Sequence, residues 1–409
     1  MNEPLRIGLL GRGTVGGAFE ALVAQQADSV AAVTGRRPEI SGVLTRSVGD
    51  FDEILANSDV IVELMGGLDP AKGMLERALS EGKHVISANK QLISRHGEEL
   101  WALASDNGVQ LRFEAAVAGV VPVIRVLGGS LSGARIERIH GIVNGTTNFI
   151  LSEMARTGAD YETVLAEAQR LGYAEADPTE DVAGHDAAAK IAILTRLAFG
   201  ISVDVDSIPC EGIERIQPDD IAYASELGLS LKLIATTERV GDGISVRVHP
   251  VFLYPGHPLA SIGGAFNAVT IESDDITEIT LSGPGAGGPQ TASAVLGDLV
   301  AIASGAVTDI PPATDPLPVV TDTESAFYLH LEVEDRPGVL SQVAAVLGDH
   351  GISVRSVVQR GLGENARLVM VSHRVPDAAF SAALNQLSGL ESLRAEPRAI
   401  RVIEEDFGS

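Results

Sequence analysis

Three glycines at fixed offsets, Gly11, Gly13 and Gly16, follow directly on the apolar run 5–10 and open a helical run through Phe19, Leu22 and Val23. Gly-x-Gly-x-x-Gly set between a strand and a helix leaves a chain few folds to adopt. The first glycine turns the strand, the second lets a pyrophosphate approach the backbone, and the third lets the helix lie close on the strand. The helix N-terminus, with Thr14 and Val15 in its first turn, supplies N–H groups to an anion. Because glycine-rich turns also arise for packing alone, the continuation matters. Apolar runs at 60–64, 84–87 and 110–113 alternate with helical stretches. That alternation predicts a parallel sheet, an α/β Rossmann-type unit over residues 1–134 that binds a dinucleotide.

The second strand, expected over 40–45 after a loop at 33–39, would end in Asp or Glu if it read the ribose 2'-hydroxyl of NAD. It ends in Thr45-Arg46. A guanidinium suits a 2'-phosphate, so NADP is favoured and NAD stays possible, with a solvated surface arginine as the competing reading of Arg46. Met65-Gly66-Gly67 and Ser87-Ala88-Asn89-Lys90 fall where strands of such a sheet end, at the ligand-binding edge. Lys90 there either meets a ligand or is a plain loop lysine. Arg12, bulky in the fingerprint turn, either assists the phosphates or blocks them.

The 409 residues suffice for two or three cores. A net charge of -25, from 55 acidic and 30 basic residues, argues against binding nucleic acid or an anionic membrane. No apolar run is long enough to span a bilayer, and residues 1–4 enter a strand without a charged leader. Cys210 is the only cysteine, which excludes an intramolecular disulfide and a Cys-x-x-Cys zinc cluster. A cytoplasmic location is expected.

The densest chemistry lies at 175–190, five carboxylates and one lysine in an acidic loop that runs into an alanine-rich helix from His185. Asp186 and Lys190 are i and i+4 on that helix, neighbours on one face. On a solvated helix this would be an ordinary weak ion pair. This helix is almost wholly apolar and must be buried on most sides, so the lysine needs its carboxylate, an arrangement suited to exchanging a proton with a substrate oxygen. Upstream, 114–122 is small and apolar, with backbone carbonyls as its obvious polar groups. A strand at 135–143 leads to Asn144, which caps a helix. Strands at 231–238, 244–251 and 278–281 predict a mixed sheet that covers the site and pairs subunits. Gly283 to Gly288 opens a further helix, as a second cofactor contact or a tight connector. The histidines show no metal spacing; His185 and His249 are candidates to line the pocket.

Gly11–Gly16, Ala88-Asn89-Lys90, Asn144-Gly145-Thr146-Thr147-Asn148, the run 171–178, the run 184–190 and Gly283-Pro284-Gly285-Ala286-Gly287 together resemble the homoserine dehydrogenases across residues 5 to about 304. The resemblance implies reversible reduction of L-aspartate 4-semialdehyde to L-homoserine by a nicotinamide cofactor, in the biosynthesis of threonine, methionine and isoleucine. Residues 135–304 then form an α+β substrate and dimerisation unit, with the helix near 285–304 completing the cofactor domain. By the same resemblance, Lys190 is the proton donor and Asp186 holds it. Glu175, Asp181 and Lys90 bind substrate, Lys90 and Gly287 touch the cofactor, and Glu114, Val117, Gly119 and Val121 match a monovalent cation site such as one for Na+. A loop packed without an ion is the competing reading of those four.

A proline-rich linker is expected at 305–324, then over 325–409 a ferredoxin-like βαββαβ order. This unit resembles an ACT domain, with Asp335 and Gly338 in its ligand loop. The implied effector is threonine, and a dimerisation module that binds nothing is the competing reading. A homo-oligomer, dimer or tetramer, is expected. Thioester chemistry on an aldehyde would need a nucleophilic cysteine, and Cys210 has no evident base nearby in sequence. A non-catalytic amino-acid sensor on the same scaffold is the other alternative.

Overall fold

Leu5, Ile7, Leu9 and Leu10 are fully buried in strand β1 (Glu3–Leu10), which pairs with neighbours on both sides. The computed structural model describes residues 3–306, 317–361, 363 and 366–403. Helix α1 (Thr14–Thr34), β2 (Arg36–Leu44), α2 (Phe51–Ala56), β3 (Val60–Glu63), α3 (Ala71–Ser80), β4 (His84–Ser87), α4 (Lys90–Asp106) and β5 (Leu111–Arg112) follow. The strands form a parallel sheet in the order β2-β1-β3-β4-β5. The expected loop at 33–39 does not exist. Val30 and Ala31 are buried and hold the last turn of α1 to the core, Gly35 at φ +76° closes it, and β2 begins at Arg36. Glycine is the residue that takes this left-handed cap without strain.

After the one-turn α5 (Val123–Arg125) come β6 (Ile136–Ile142), α6 (Gly145–Thr157), α7 (Tyr161–Leu171), α8 (Thr179–Val182), α9 (His185–Phe199) and α10 (Pro218–Glu226). Strands β7 (Ser230–Val240), β8 (Gly243–Leu253), β9 (Phe266–Ser273) and β10 (Thr277–Pro284) then complete an antiparallel sheet in the order β10-β9-β6-β7-β8. Helix α9 packs on β6, β7 and β8. The small alanines at 187, 188 and 189 let its backbone lie close to its neighbours, and all three are buried. Helix α11 (Gly288–Ala303) returns to the first sheet, where Ala292, Val295, Leu299 and Ile302 share a core with Leu5, Ile7 and Phe19.

The C-terminal unit runs β11 (Glu324–Glu332), α12 (Val339–Asp349), β12 (Val354–Arg360), β13 (Arg367–Ser372), β14 (Val375–Pro376), α13 (Asp377–Ser388) and β15 (Arg398–Ile403). Its sheet order β15-β11-β13-β12 is antiparallel throughout, the ferredoxin-like arrangement.

This unit is not a separate layer hung on a linker. Residues Arg401 to Ile403 of β15 pair in parallel with Val251 to Leu253 of β8, so one sheet crosses both units. Pro318 and Val320, from the expected linker, bridge Ile244 through hydrogen bonds of 3.0 and 2.7 Å. Residues 307–316 of that stretch lie outside the described residues. Asp220 of α10, 1% exposed, meets His330 at 2.8 Å and Arg398 at 3.0 Å across the junction. Among the described residues no helix is long and apolar enough to cross a membrane.

Candidate active site

The end of β6 and the starts of α6 and α9 converge. Asn144 caps α6, accepting the Thr147 N–H at 2.9 Å through Oδ1. Its Nδ2 donates to Asp181 Oδ1 at 2.7 Å and to Asp186 Oδ2 at 2.8 Å, so one amide fixes two carboxylates. Asp186, 2% exposed, lies in the first turn of α9, where the helix dipole favours an anion. Lys190, one turn on, donates to Asp186 Oδ2 at 2.7 Å and to the Val143 carbonyl at 2.7 Å. From the other sheet Lys90, the first residue of α4, places Nζ 2.6 Å from Asp186 Oδ1.

Asp186 therefore sits between two ammonium groups. Burial pushes its pKa up, but Lys190 and Lys90 outweigh burial and hold it well below the usual carboxylate range. Burial works against the charge on Lys90 too, and Asp186 overcomes it, leaving the ammonium above its ordinary pKa. Among the described residues no cation forms an ion pair with Asp181; burial, then the neighbouring Asp186, push its pKa up.

A second network sets Lys90. Buried Glu63, at the end of β3, accepts the N–H groups of Met65 and Gly66 at 2.8 and 2.9 Å and the Ser87 hydroxyl at 2.7 Å. Ser87 Oγ accepts the Asn89 N–H at 3.1 Å, while Asn89 donates to Gly67 O at 2.6 Å and caps α4 through Leu92 N–H. Sequence reasoning singled out both loops and missed the glutamate that joins them. The available signal was a carboxylate ending an otherwise apolar parallel strand.

The fingerprint fits a dinucleotide. A Cβ at Gly11 (φ +96°) would lie 2.6 Å from Leu64 O, and one at Gly16 only 2.1 Å from Gly11 O. At Gly13 a Cβ would meet nothing within 4 Å, and no side chain caps the first N–H groups of α1, where Thr14 and Val15 begin the helix. That is room for a phosphate. Gly287 precedes α11, and the next residue, Gly288, approaches Thr14 so closely that a Cβ would lie 3.0 Å from its carbonyl. Arg46 is exposed in the turn after β2, whose last residue accepts the Gly11 N–H at 2.9 Å. Arg12 neither covers nor blocks the turn, because it pairs with Glu20 at 2.7 Å.

The other predicted residues are spread more widely. Glu175 is exposed, in a loop tied to α6 by Thr146 Oγ1 on Tyr173 O at 2.7 Å. Glu114 is buried, and its carboxylate accepts the N–H groups of Ile124 and Arg125 at 3.0 and 2.9 Å. Burial, then Asp298, push its pKa up to about 7. Gly119 (φ +66°) abuts Gly285, so the carbonyl-rich loop with Val117 and Val121 lies against the loop before α11. Asp335 and Gly338 stand in the C-terminal unit, Asp335 accepting the Gly363 N–H at 3.0 Å.

A cavity of about 690 Å³ meets the cluster at Lys90, with Gly67, Gln91, His185 and Asp206 in its wall. His249 is not part of it; as a β8 residue it lies at the junction with the C-terminal unit. Burial pushes the Cys210 thiol up, and its Sγ touches Gly184 O at 4.0 Å, an arrangement that does not activate a nucleophile.

Residues 122–300 match the family model of homoserine dehydrogenase, 11–114 that of the homoserine dehydrogenase NAD binding domain, and 328–392 that of the ACT domain. A homoserine dehydrogenase of Synechocystis sp. is 40% identical over 98% of this chain and 99% of its own. The chain belongs to the homoserine dehydrogenase family. The crystal structure of a homoserine dehydrogenase from Thiobacillus denitrificans superposes with a TM-score of 0.93 at 36% identity, over 98% of this chain and 99% of that one. A hyperthermophilic archaeal homoserine dehydrogenase mutant in complex with NADPH is similar over 75% of this chain and 99% of its own, with a TM-score of 0.64 at 28% identity. The chain is thus an oxidoreductase with a nicotinamide-binding domain and an ACT domain.

Proposed function

We propose that this homoserine dehydrogenase interconverts L-aspartate 4-semialdehyde and L-homoserine with Lys190 as the proton donor and acceptor. The observation that carries the proposal is the placement of Asp186 between Lys190 and Lys90. An ammonium has three N–H groups, and Lys190 gives one to Asp186 and one to Val143 O. The third is left for a substrate oxygen. A nicotinamide held by the glycine turn and Gly287 would supply the hydride for the aldehyde carbon. Lys190 protonates the oxygen as negative charge develops on it, and in reverse takes the hydroxyl proton. Asp186 holds that ammonium, and Lys90 brings a second positive charge to the seam between the two sheets, for substrate and cofactor alike. Glu175 and Asp181 suit the ammonium of an amino-acid substrate.

The proposed division of labour gives residues 1–134 and the helix near 285–304 to the cofactor, 135–304 to substrate and dimerisation, 305–324 to connection and 325–409 to regulation. NADP is the cofactor this reading favours: an exposed guanidinium at Arg46, just after β2, suits a 2'-phosphate, and the archaeal relative's NADPH supports it. The ACT unit would bind threonine at Asp335 and Gly338, in a homo-oligomer. Carbonyls near Glu114, Val117, Gly119 and Val121 would hold a monovalent cation, and the enzyme would act in the cytoplasm, which its lone free cysteine suits.

Nicotinamide absorbance followed with L-homoserine and either coenzyme, with Lys190→Ala as control, tests the reading. Turnover lost in a folded variant that still binds coenzyme is expected. No turnover by the wild type would leave an amino-acid sensor, and full activity of the variant would remove Lys190 from the chemistry.

A further inference from the structure

The proposed proton donor stands on α9 and the proposed coenzyme contact Gly287 just before α11, and one side chain lies between the supports of both. Asn267, the second residue of β9, is fully buried. Its Nδ2 donates to the Val143 carbonyl at 3.3 Å, the same oxygen that accepts Lys190 Nζ at 2.7 Å. A carbonyl oxygen has two lone pairs, so the two donors fill it and fix the direction from which Lys190 reaches it.

On its other side Asn267 lies against Gly285, where a Cβ would collide with the Asn267 amide. Gly285 does not take a positive φ, so this close approach, and not backbone freedom, calls for glycine there. The neighbours of Asn267 tie the same two places together. Ala265 O accepts the Gly285 N–H at 3.3 Å, and a Cβ at Gly145, the first residue of α6, would lie 2.8 Å from that oxygen. Phe266 O accepts Asn148 Nδ2 at 3.0 Å. Residues 265–267 thus grip the start of α6, where Asn144 fixes Asp186, and the loop that leads to Gly287.

Asn267 Oδ1, by contrast, has no partner among the described residues. A buried acceptor left unpaired costs free energy, and turning the amide over would set two oxygens face to face. An apolar side chain would avoid that cost. Local rules are broken in this way chiefly at functional sites.

We infer that Asn267 is a positioning residue for the proton transfer: through Val143 O it aims Lys190, and through Gly285 it holds the loop before α11 in register with that ammonium. The inference rests on Lys190 as the proton donor.

The test uses full-length enzyme as Asn267→Ala, Gly285→Ala and the double variant, with Lys190→Ala alongside. Oxidation of L-homoserine is followed in light and heavy water. In Asn267→Ala, kcat should fall roughly tenfold or more with little change in KM for L-homoserine, because a misaimed Lys190 slows the proton step. The solvent isotope effect on kcat should rise, a change that a purely structural side chain would not produce. Gly285→Ala keeps Asn267 but displaces its amide, so it should show the same signature and carries the test alone if Asn267→Ala does not fold. The double variant, with the collision gone, should be no worse than Asn267→Ala. The inference is overturned if either single variant keeps kcat within about twofold of wild type, if kcat falls with an unchanged isotope effect, or if the two losses multiply in the double variant. Full activity of Lys190→Ala would remove the reading beneath it, whereas loss there with normal kinetics in the other variants removes this inference alone.

Discussion

Replacing Lys190 by Ala removes the group proposed to move the proton and should lower kcat about 10²- to 10⁴-fold. The KM for coenzyme should hardly change, since Asp186 keeps Lys90 as partner. Steady-state kinetics with both substrates separates the two effects. Asp186→Asn is the more damaging change: it leaves two ammonium groups facing one amide and should cost about 3–5 kcal/mol of stability as well as turnover, measurable by urea unfolding. The two buried acids respond to pH in opposite senses. Asp186 has its folded pKa lowered, so its stabilisation is complete above the unfolded value of about 3.9 and is lost only as pH falls through the folded one. Glu114 has its pKa raised to about 7, so the fold holds more protons than the unfolded chain. Stability is therefore lost as pH rises from about 4.3 to about 7, by an amount on the order of 3 kcal/mol. Glu114→Gln should abolish that loss, seen as urea midpoints that no longer fall across the window. A cation held by the carbonyls of Val117, Gly119 and Val121 would oppose it, so sodium chloride should raise the wild-type midpoint above pH 7 relative to choline chloride. Equal midpoints in the two salts would speak against a cation there.

Among elements, the glycine turn and α1 separate packing from binding. At Gly16 a Cβ would collide with Gly11 O, so Gly16→Ala should destabilise the domain by about 1–3 kcal/mol. At Gly13 the space is open, so Gly13→Ala should fold with an unchanged melting temperature and yet bind coenzyme poorly. Thermal melts and coenzyme titrations of the pair check this, and a Gly13 variant with unaltered affinity would mean the phosphates do not come this way. The strand-turn-helix order was legible because its cause is local: strand periodicity, then glycine, then helix periodicity. The boundary of β2 was not, because the last turns of α1 carry Val30 and Ala31 into the buried interior, which the local pattern at 33–39 does not show. Glu63 showed in the sequence only as a carboxylate ending an apolar strand; its role did not, since its partners Met65, Gly66 and Ser87 come together only at the sheet's carboxyl edge.

At the scale of the molecule, the shared sheet is the feature with most consequence. β8 is an interior strand only while β15 lies beside it. A chain ending at residue 306 should expose the β8 edge and leave Asp220 without His330 and Arg398, two liabilities for a soluble fold. Such a truncation should aggregate or form larger oligomers in size-exclusion chromatography. A stable, fully active truncated enzyme would show that the junction matters little. The strand that joins the two units, β8, is also bonded through Val248 to Pro209 and Glu211, and Cys210 between them borders the cavity at Lys90.

The sequence by itself determined the Rossmann-type unit, the ferredoxin-like tail and the Asp186–Lys190 pair, all of which follow from spacing along a few consecutive elements. Only the tertiary structure decided that Lys90 shares Asp186, that Asn144 ties Asp181 to it, and that two sheets become one. These depend on which unpaired strand edge and which buried charge meet after the domains pack. Hydrogen-bond and ionic satisfaction of that kind is a property of the assembled interior and leaves no period in the chain.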